Sequence, residues 1–171
     1  MKYLKYLIIL ILVLGIAFIA KGMITPSISY ETEIVVNKPV QESWAVMSDE
    51  SNLPKWIRGF KKIEPISGTP NTLGAVSKVY IEEEGTEMIM EETITAFKEN
   101  EHMAMSFTMD FMNIDYEMFF KDQGGKTVIT TKTNTTGNSM IAKSMLSFMS
   151  DGMGKQEDEN LNNLKNLIEG N

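Results

Sequence analysis

The chain contains no cysteine, one histidine and five prolines in 171 residues. Without a thiol there is no thiolate nucleophile, no cysteine-ligated zinc, no disulfide and no acylated lipoprotein cysteine. His102 alone cannot build a multi-histidine zinc or iron site. It follows Lys98, Glu99, Asn100 and Glu101 and reads as a surface turn residue. Positive charge is also scarce: 16 Lys and Arg face 23 Asp and Glu, a net charge of -7 and a pI of about 4.8. Neutralising phosphates needs a basic stripe, so nucleic acid is excluded as the main partner. Lys55, Arg58, Lys61 and Lys62 form the one notable basic cluster, which reads as a solvated loop. No Gly-x-Ser-x-Gly elbow, phosphate-binding glycine loop or dinucleotide fingerprint is present. Glu82-Glu83-Glu84 lacks the alternating ligand spacing and central glycine of a calcium loop, and reads as an exposed strand end. No metal and no organic cofactor is expected.

What the chain does have is apolar residues, 43% of the total, enough for one domain with a real core plus an appendage. The appendage is at the front. Lys2 and Lys5 precede an uncharged run, 6–20, and extension from Tyr3 to Ile24 gives a helix of roughly 33 Å, enough to cross a bilayer. An uncleaved signal anchor and a cleaved signal peptide both fit, with Ala20-Lys21-Gly22 as a poor small-x-small cleavage site. Lys2, Lys5 and the α-amine outweigh Lys21 and Lys38. The N-terminus is therefore expected to be cytoplasmic and the domain extracytoplasmic, or secreted or periplasmic after cleavage. The expected division is an anchor over 1–24, a linker over 25–28 and a domain over 29–171.

Residues 29–36 alternate and predict a strand, which Asn37-Lys38-Pro39 closes because proline donates nothing to a ladder. Val40, Trp44 and Met47 recur at helical spacing, predicting a short helix over 39–48. Ser48, Asp49, Ser51 and Asn52 stop it, and a second helical turn is expected over 53–60. Further strands are predicted over 60–66, 75–83, 87–98, 103–111, 113–121 and 126–135. Turn chemistry at 67–71, Glu84-Gly85, 99–101 and Gly124-Gly125 suits antiparallel hairpins. Asn138 or Ser139 then caps a long helix ending near Ile168. Its apolar face is read as Ile141, Met145, Phe148, Met149 and Gly152, continued by Leu164, Leu167 and Ile168, with Glu157, Asp158 and Glu159 in a solvated stretch. The element order alone predicts an α+β fold.

The strand end, the proline-started helix and the Asp49-x-x-x-Leu53-Pro54-x-Trp56 loop resemble the START/Bet v 1-like superfamily, also called SRPBCC or polyketide cyclase/dehydrase-like proteins. By element order the resemblance extends over about 29–167. It implies a helix-grip fold: a curved antiparallel β-sheet wrapped around a long C-terminal helix, here with an N-terminal transmembrane helix. In such proteins the inward sheet face and that helix enclose an apolar cavity.

Methionine is the compositional outlier, with 14. Met103, Met105, Phe107 and Met109 share one strand face, Met112, Ile114, Tyr116, Met118 and Phe120 the next, and Met88 and Met90 a third. Met140, Met145, Met149 and Met153 come from the long helix. Methionine suits surfaces that accept varied apolar shapes, so these faces line either a ligand pocket or a filled core. The candidate ligand-binding residues are Trp56, Met88, Met90, Glu92, Met103, Met105, Phe107, Met109, Tyr116, Met118, Met145 and Met149. Glu92 shares inward parity with Met88, Met90 and Ile94, unless a bulge at Glu91-Glu92 turns it to solvent; inward, its pKa would rise and it could act as a base. Gly152 and Gly154 would bend the long helix or mark a break between its halves.

Three functions fit. The first is a membrane-tethered binding module for a hydrophobic small molecule or lipid. The second is a cyclase/dehydrase-type enzyme, with Tyr80, Glu92, Tyr116 and His102 as candidate polar groups and no pattern linking them. The third is a protein-interaction domain like the co-chaperone branch of the superfamily. The ligand's identity and the oligomeric state are not written in the sequence.

Overall fold

The computed structural model describes residues 2–83 and 85–170. The apolar run forms helix α1 (Lys2–Ile24), of which Tyr3–Ile24 is long and apolar enough to cross a membrane. Strand β1 (Ser27–Val36) follows, then helix α2 (Val40–Ser48), a 3-10 turn (Glu50–Asn52) capped by Asp49, and helix α3 (Leu53–Trp56). The remaining strands are β2 (Phe60–Ser67), β3 (Val76–Glu83), β4 (Thr86–Lys98), β5 (His102–Thr108), β6 (Met112–Asp122) and β7 (Thr127–Gly137). Helix α4 (Met140–Glu169) closes the chain; the Ser139 side chain accepts from the Ala142 amide at its start, and left-handed Gly170 (φ 74°) ends it. The expected second helical turn stops at Trp56, because Gly59 needs a left-handed backbone (φ 73°) and a side chain there would strike the Glu82 carbonyl. Glu84 lies outside the described residues.

The strands form one curved antiparallel sheet of seven in the order β1-β7-β6-β5-β4-β3-β2. Six strands meander, and β1 pairs with the last of them from Ser27↔Thr136 to Val36↔Thr127. α4 crosses the concave face, completing the helix-grip arrangement. Trp44 packs edge-on to Phe97 and Phe120, in a core with Val36, Met118, Ile129, Leu161 and Leu164. At the far end of α4, Glu169 accepts from the Asn37 amide at 2.8 Å and its side chain at 2.9 Å, tying the helix to the end of β1.

The first half of α4 corrects the sequence expectation. Ala142, Ser144 and Leu146 are its buried residues, while Ile141 (61% exposed), Met145 (50%) and Phe148 (68%) face outward. Both sides of this half-helix are apolar, so no polar contrast marks which one the sheet takes. Leu146 packs with Ile28, Met109 and Met112, whereas Ser144 is covered by α1, against which Phe148 also lies: Phe18 stacks on Phe148 with ring centroids 6.0 Å apart. One turn on, Gly22 comes so close that a Cβ there would lie 2.6 Å from the Ser144 amide nitrogen. α4 runs unbroken through Gly152 and Gly154, and both have open space around them.

Candidate functional site

Between the concave sheet and α4 lies a cavity of about 330 Å³. Strand alternation builds its wall. Every second residue of β4 points in: Met88, Met90, Glu92 and Ile94. Across the ladder Glu92 sits opposite Ser77 of β3 and Phe107 of β5, and Met105 sits opposite Ile94 and Tyr116. Met103 faces Met118, and Met109 follows at the strand end. From the other side α4 contributes Met149, Met153, Gln156 and Glu157, and α3 contributes Leu53 and Trp56. The predicted site residues therefore converge on one void, apart from Met145. That residue is half exposed on the outer side of α4, roughly 100° per residue having carried it off the lining face. Met140 is likewise exposed.

The register also settles Glu92. The ladder between β4 and β5 is regular through Glu91↔Thr108 and Glu92↔Phe107, and its bulge falls later, between Ile94 and Ala96. Glu92 thus keeps inward parity while Glu91 is exposed. Among the described residues Glu92 has no hydrogen-bond or ion-pair partner. Burial, reinforced by the Glu50 carboxylate, pushes its pKa up to about 7. A second polar group was missed in the sequence. Glu157 is buried, not solvated, and its Oε1 accepts from the Tyr116 hydroxyl at 2.9 Å. Its spacing of four from Met153 and from Leu161 was the available signal. Tyr116 pairs with Thr133 of β7, which pairs with Tyr30 of β1, so these side chains form a row beneath Glu157. Burial raises the Glu157 pKa, the Tyr116 hydrogen bond opposing it. Burial and the Glu157 charge raise Tyr116 well above its ordinary value, and raise Tyr30.

The remaining sequence candidates lie elsewhere. Tyr80 is outside the cavity and donates to Glu64 at 2.7 Å, with Lys62 over its ring. His102 stacks on Phe119 and meets Glu117 at 3.1 Å, also away from the void. The basic cluster is largely ion-paired: Arg58 with Glu83 and Glu159, Lys61 with Glu82, Lys62 with Glu64. Trp56 is buried in the wall, and its indole Nε1 has no hydrogen-bond partner. The wall reaches the surface where Met149 and Phe111 are both lining and partly exposed. Asn138 holds that rim, its side chain donating to the Met109 carbonyl at 3.0 Å and its amide to the Phe111 carbonyl at 2.9 Å. No group of three or more potential metal ligands occurs among the described residues.

A concave antiparallel sheet closed over an apolar void by one long helix defines a helix-grip, Bet v 1-like domain. Residues 27–169 match the family model described as polyketide cyclase / dehydrase and lipid transport, and the chain belongs to that family. No curated protein sequence matches it. Among solved structures it is similar to the Zhui aromatase/cyclase from Streptomyces sp. R1128, with a TM-score of 0.69 and 11% identity over 84% of this chain and 94% of that one. It is also similar to Ara h 8.0201, with a TM-score of 0.66 and 14% identity over 85% and 99%. The two-domain ARO/CYC protein BexL, from the BE-7585A biosynthetic pathway, gives 0.67 and 11%, and the match covers only 51% of its length. At these identities the likeness is one of fold.

Proposed function

We propose that this chain is a membrane-tethered module that holds a hydrophobic small molecule or lipid in its methionine-lined cavity. The observation carrying this reading is the void itself, at about 330 Å³. That volume lies within the range of small-molecule sites, which are apolar clefts with few polar groups. Methionines from three adjacent strands and α4 line it, and their unbranched side chains adjust to varied apolar shapes. The tether is α1, with its N-terminus cytoplasmic and the domain on the far side. An anchor retained in the mature protein is supported by the seam with α4: Gly22 fits against Ser144 and Phe18 against Phe148, contacts a cleaved peptide would not need. Organic extraction of the full chain purified from membranes should release an apolar molecule in near-stoichiometric amount. A protein that yields nothing and takes up no apolar probe would contradict the reading.

A second reading is a cyclase/dehydrase-type enzyme acting on a hydrophobic substrate in the same cavity. The specific observation favouring it is Glu92, inward, unpaired and titrating near 7, where a general base works best. The fold shared with the Zhui aromatase/cyclase is consistent with it. In that case Glu92→Gln abolishes a turnover without unfolding the domain; retained turnover excludes Glu92 as the base.

A further inference from the structure

We propose that the cavity selects an amphiphile with a positively charged hydrogen-bond donor at one end, a protonated amine, over neutral or anionic molecules of equal chain length. The inference rests on the hydrophobic-ligand reading and specifies the ligand's polar end.

Among the described residues, the charged and titratable side chains lining the void are Glu50, Arg58, Glu83, Glu92 and Glu157, with Tyr30 and Tyr116. The only cation among them is committed: the Arg58 guanidinium nitrogens lie 3.8 Å from Glu83 and 3.4 Å from Glu159. An anionic headgroup would therefore find no free positive charge and several carboxylates. Glu157 already accepts the Tyr116 hydroxyl. Glu92 is different. It stands inward between Ser77 and Phe107 with no donor, and Glu50, also without an ion partner, repels its charge. A partly buried carboxylate without a partner costs the fold stability unless something else supplies the donor. An ammonium group beside Glu92 would supply the missing donor and the missing positive charge together, while its alkyl chain lay along the methionines. Proton uptake by Glu92 is the alternative way to remove the charge, and its raised titration fits a site that stays partly neutral until a cation arrives.

The test uses the full chain in zwitterionic lipid nanodiscs with its methionine methyls labelled for NMR. Octylamine, 1-octanol and octanoate are titrated at a pH above the Glu92 titration, reading the methyls of Met88, Met90 and Met105. The expected order is octylamine first and octanoate last. A gap of roughly tenfold between amine and alcohol is the scale of a hydrogen bond to a charged group. Glu92→Gln should shrink that gap to within a few-fold; comparing the two proteins in identical nanodiscs cancels partition into the lipid. Equal binding of amine and alcohol, a preference for octanoate, or an amine preference that survives the substitution overturns the inference. If none of the three moves the cavity methyls, the hydrophobic-ligand reading fails, and this inference with it.

Discussion

Glu92 holds its proton more tightly in the folded chain, at about 7, than the 4.5 of an unperturbed glutamate. Between those values folding takes up a proton, so its contribution to stability is lost as pH rises through that window. Glu157 acts in the same direction. Glu92→Gln should therefore raise the thermal unfolding midpoint above neutral pH and flatten its fall between about pH 4.5 and pH 7. A midpoint that keeps the wild-type pH profile would mean that Glu92 is solvated. Tyr116→Phe removes the hydroxyl from Glu157 and strands a buried carboxylate, at a cost of about 1–3 kcal/mol. Adding Glu157→Gln should return part of that loss in urea unfolding; strict additivity would show that the two groups do not interact. The two carboxylates differed in legibility. Glu92 follows the strand parity of its methionine neighbours, whereas Glu157 sits in an acidic triplet that hides its position on the buried side of α4.

At the scale of elements, strands were legible wherever one face is buried, because a half-buried strand must alternate. β4 to β7 lie within a few residues of where alternation and turn chemistry put them. α4 was harder. Its second half has polar contrast, and Leu161, Leu164 and Ile168 are buried as the spacing requires. Its first half has two apolar sides, and a pattern within one helix cannot say which is taken by the sheet and which by a distant helix. The seam between α1 and α4 depends on the absence of a side chain at position 22. Gly22→Leu should push the helices apart, since any Cβ there meets the Ser144 backbone. The absence of cysteine makes this measurable: a bismaleimide should link Phe18→Cys to Phe148→Cys efficiently, and Gly22→Leu should abolish the link. Equal cross-linking in both backgrounds would refute the seam.

For the whole molecule, the seam fixes how the domain sits if α1 spans the bilayer. Phe18 and Gly22 stand in the last turns of α1, so Phe148 and Ser144 beside them would then lie at interfacial depth. Ile141 and Met145, exposed on the same half-helix, would then be covered by lipid, as on an amphipathic helix lying in the interface. The rim at Met149 and Phe111 would open close to the membrane. A fluorophore on Phe148→Cys should be quenched by shallow lipid-borne quenchers, and one on Glu91→Cys, exposed on the outer sheet face, should not. Equal, weak quenching at both sites would place the domain away from the bilayer. The fold was legible from element order and from the helix-and-loop pattern at Val40–Trp56, but a void and a filled core leave the same alternation in a sequence. Only packing in three dimensions separates them.

Whether this void holds a ligand is decided by native mass spectrometry of the full chain released from membranes, beside a Met105→Trp variant that fills the cavity. A discrete added mass is expected on the wild-type protein and not on a folded variant. A bare wild-type mass, or an adduct that persists when the cavity is filled, would contradict the hydrophobic-ligand reading.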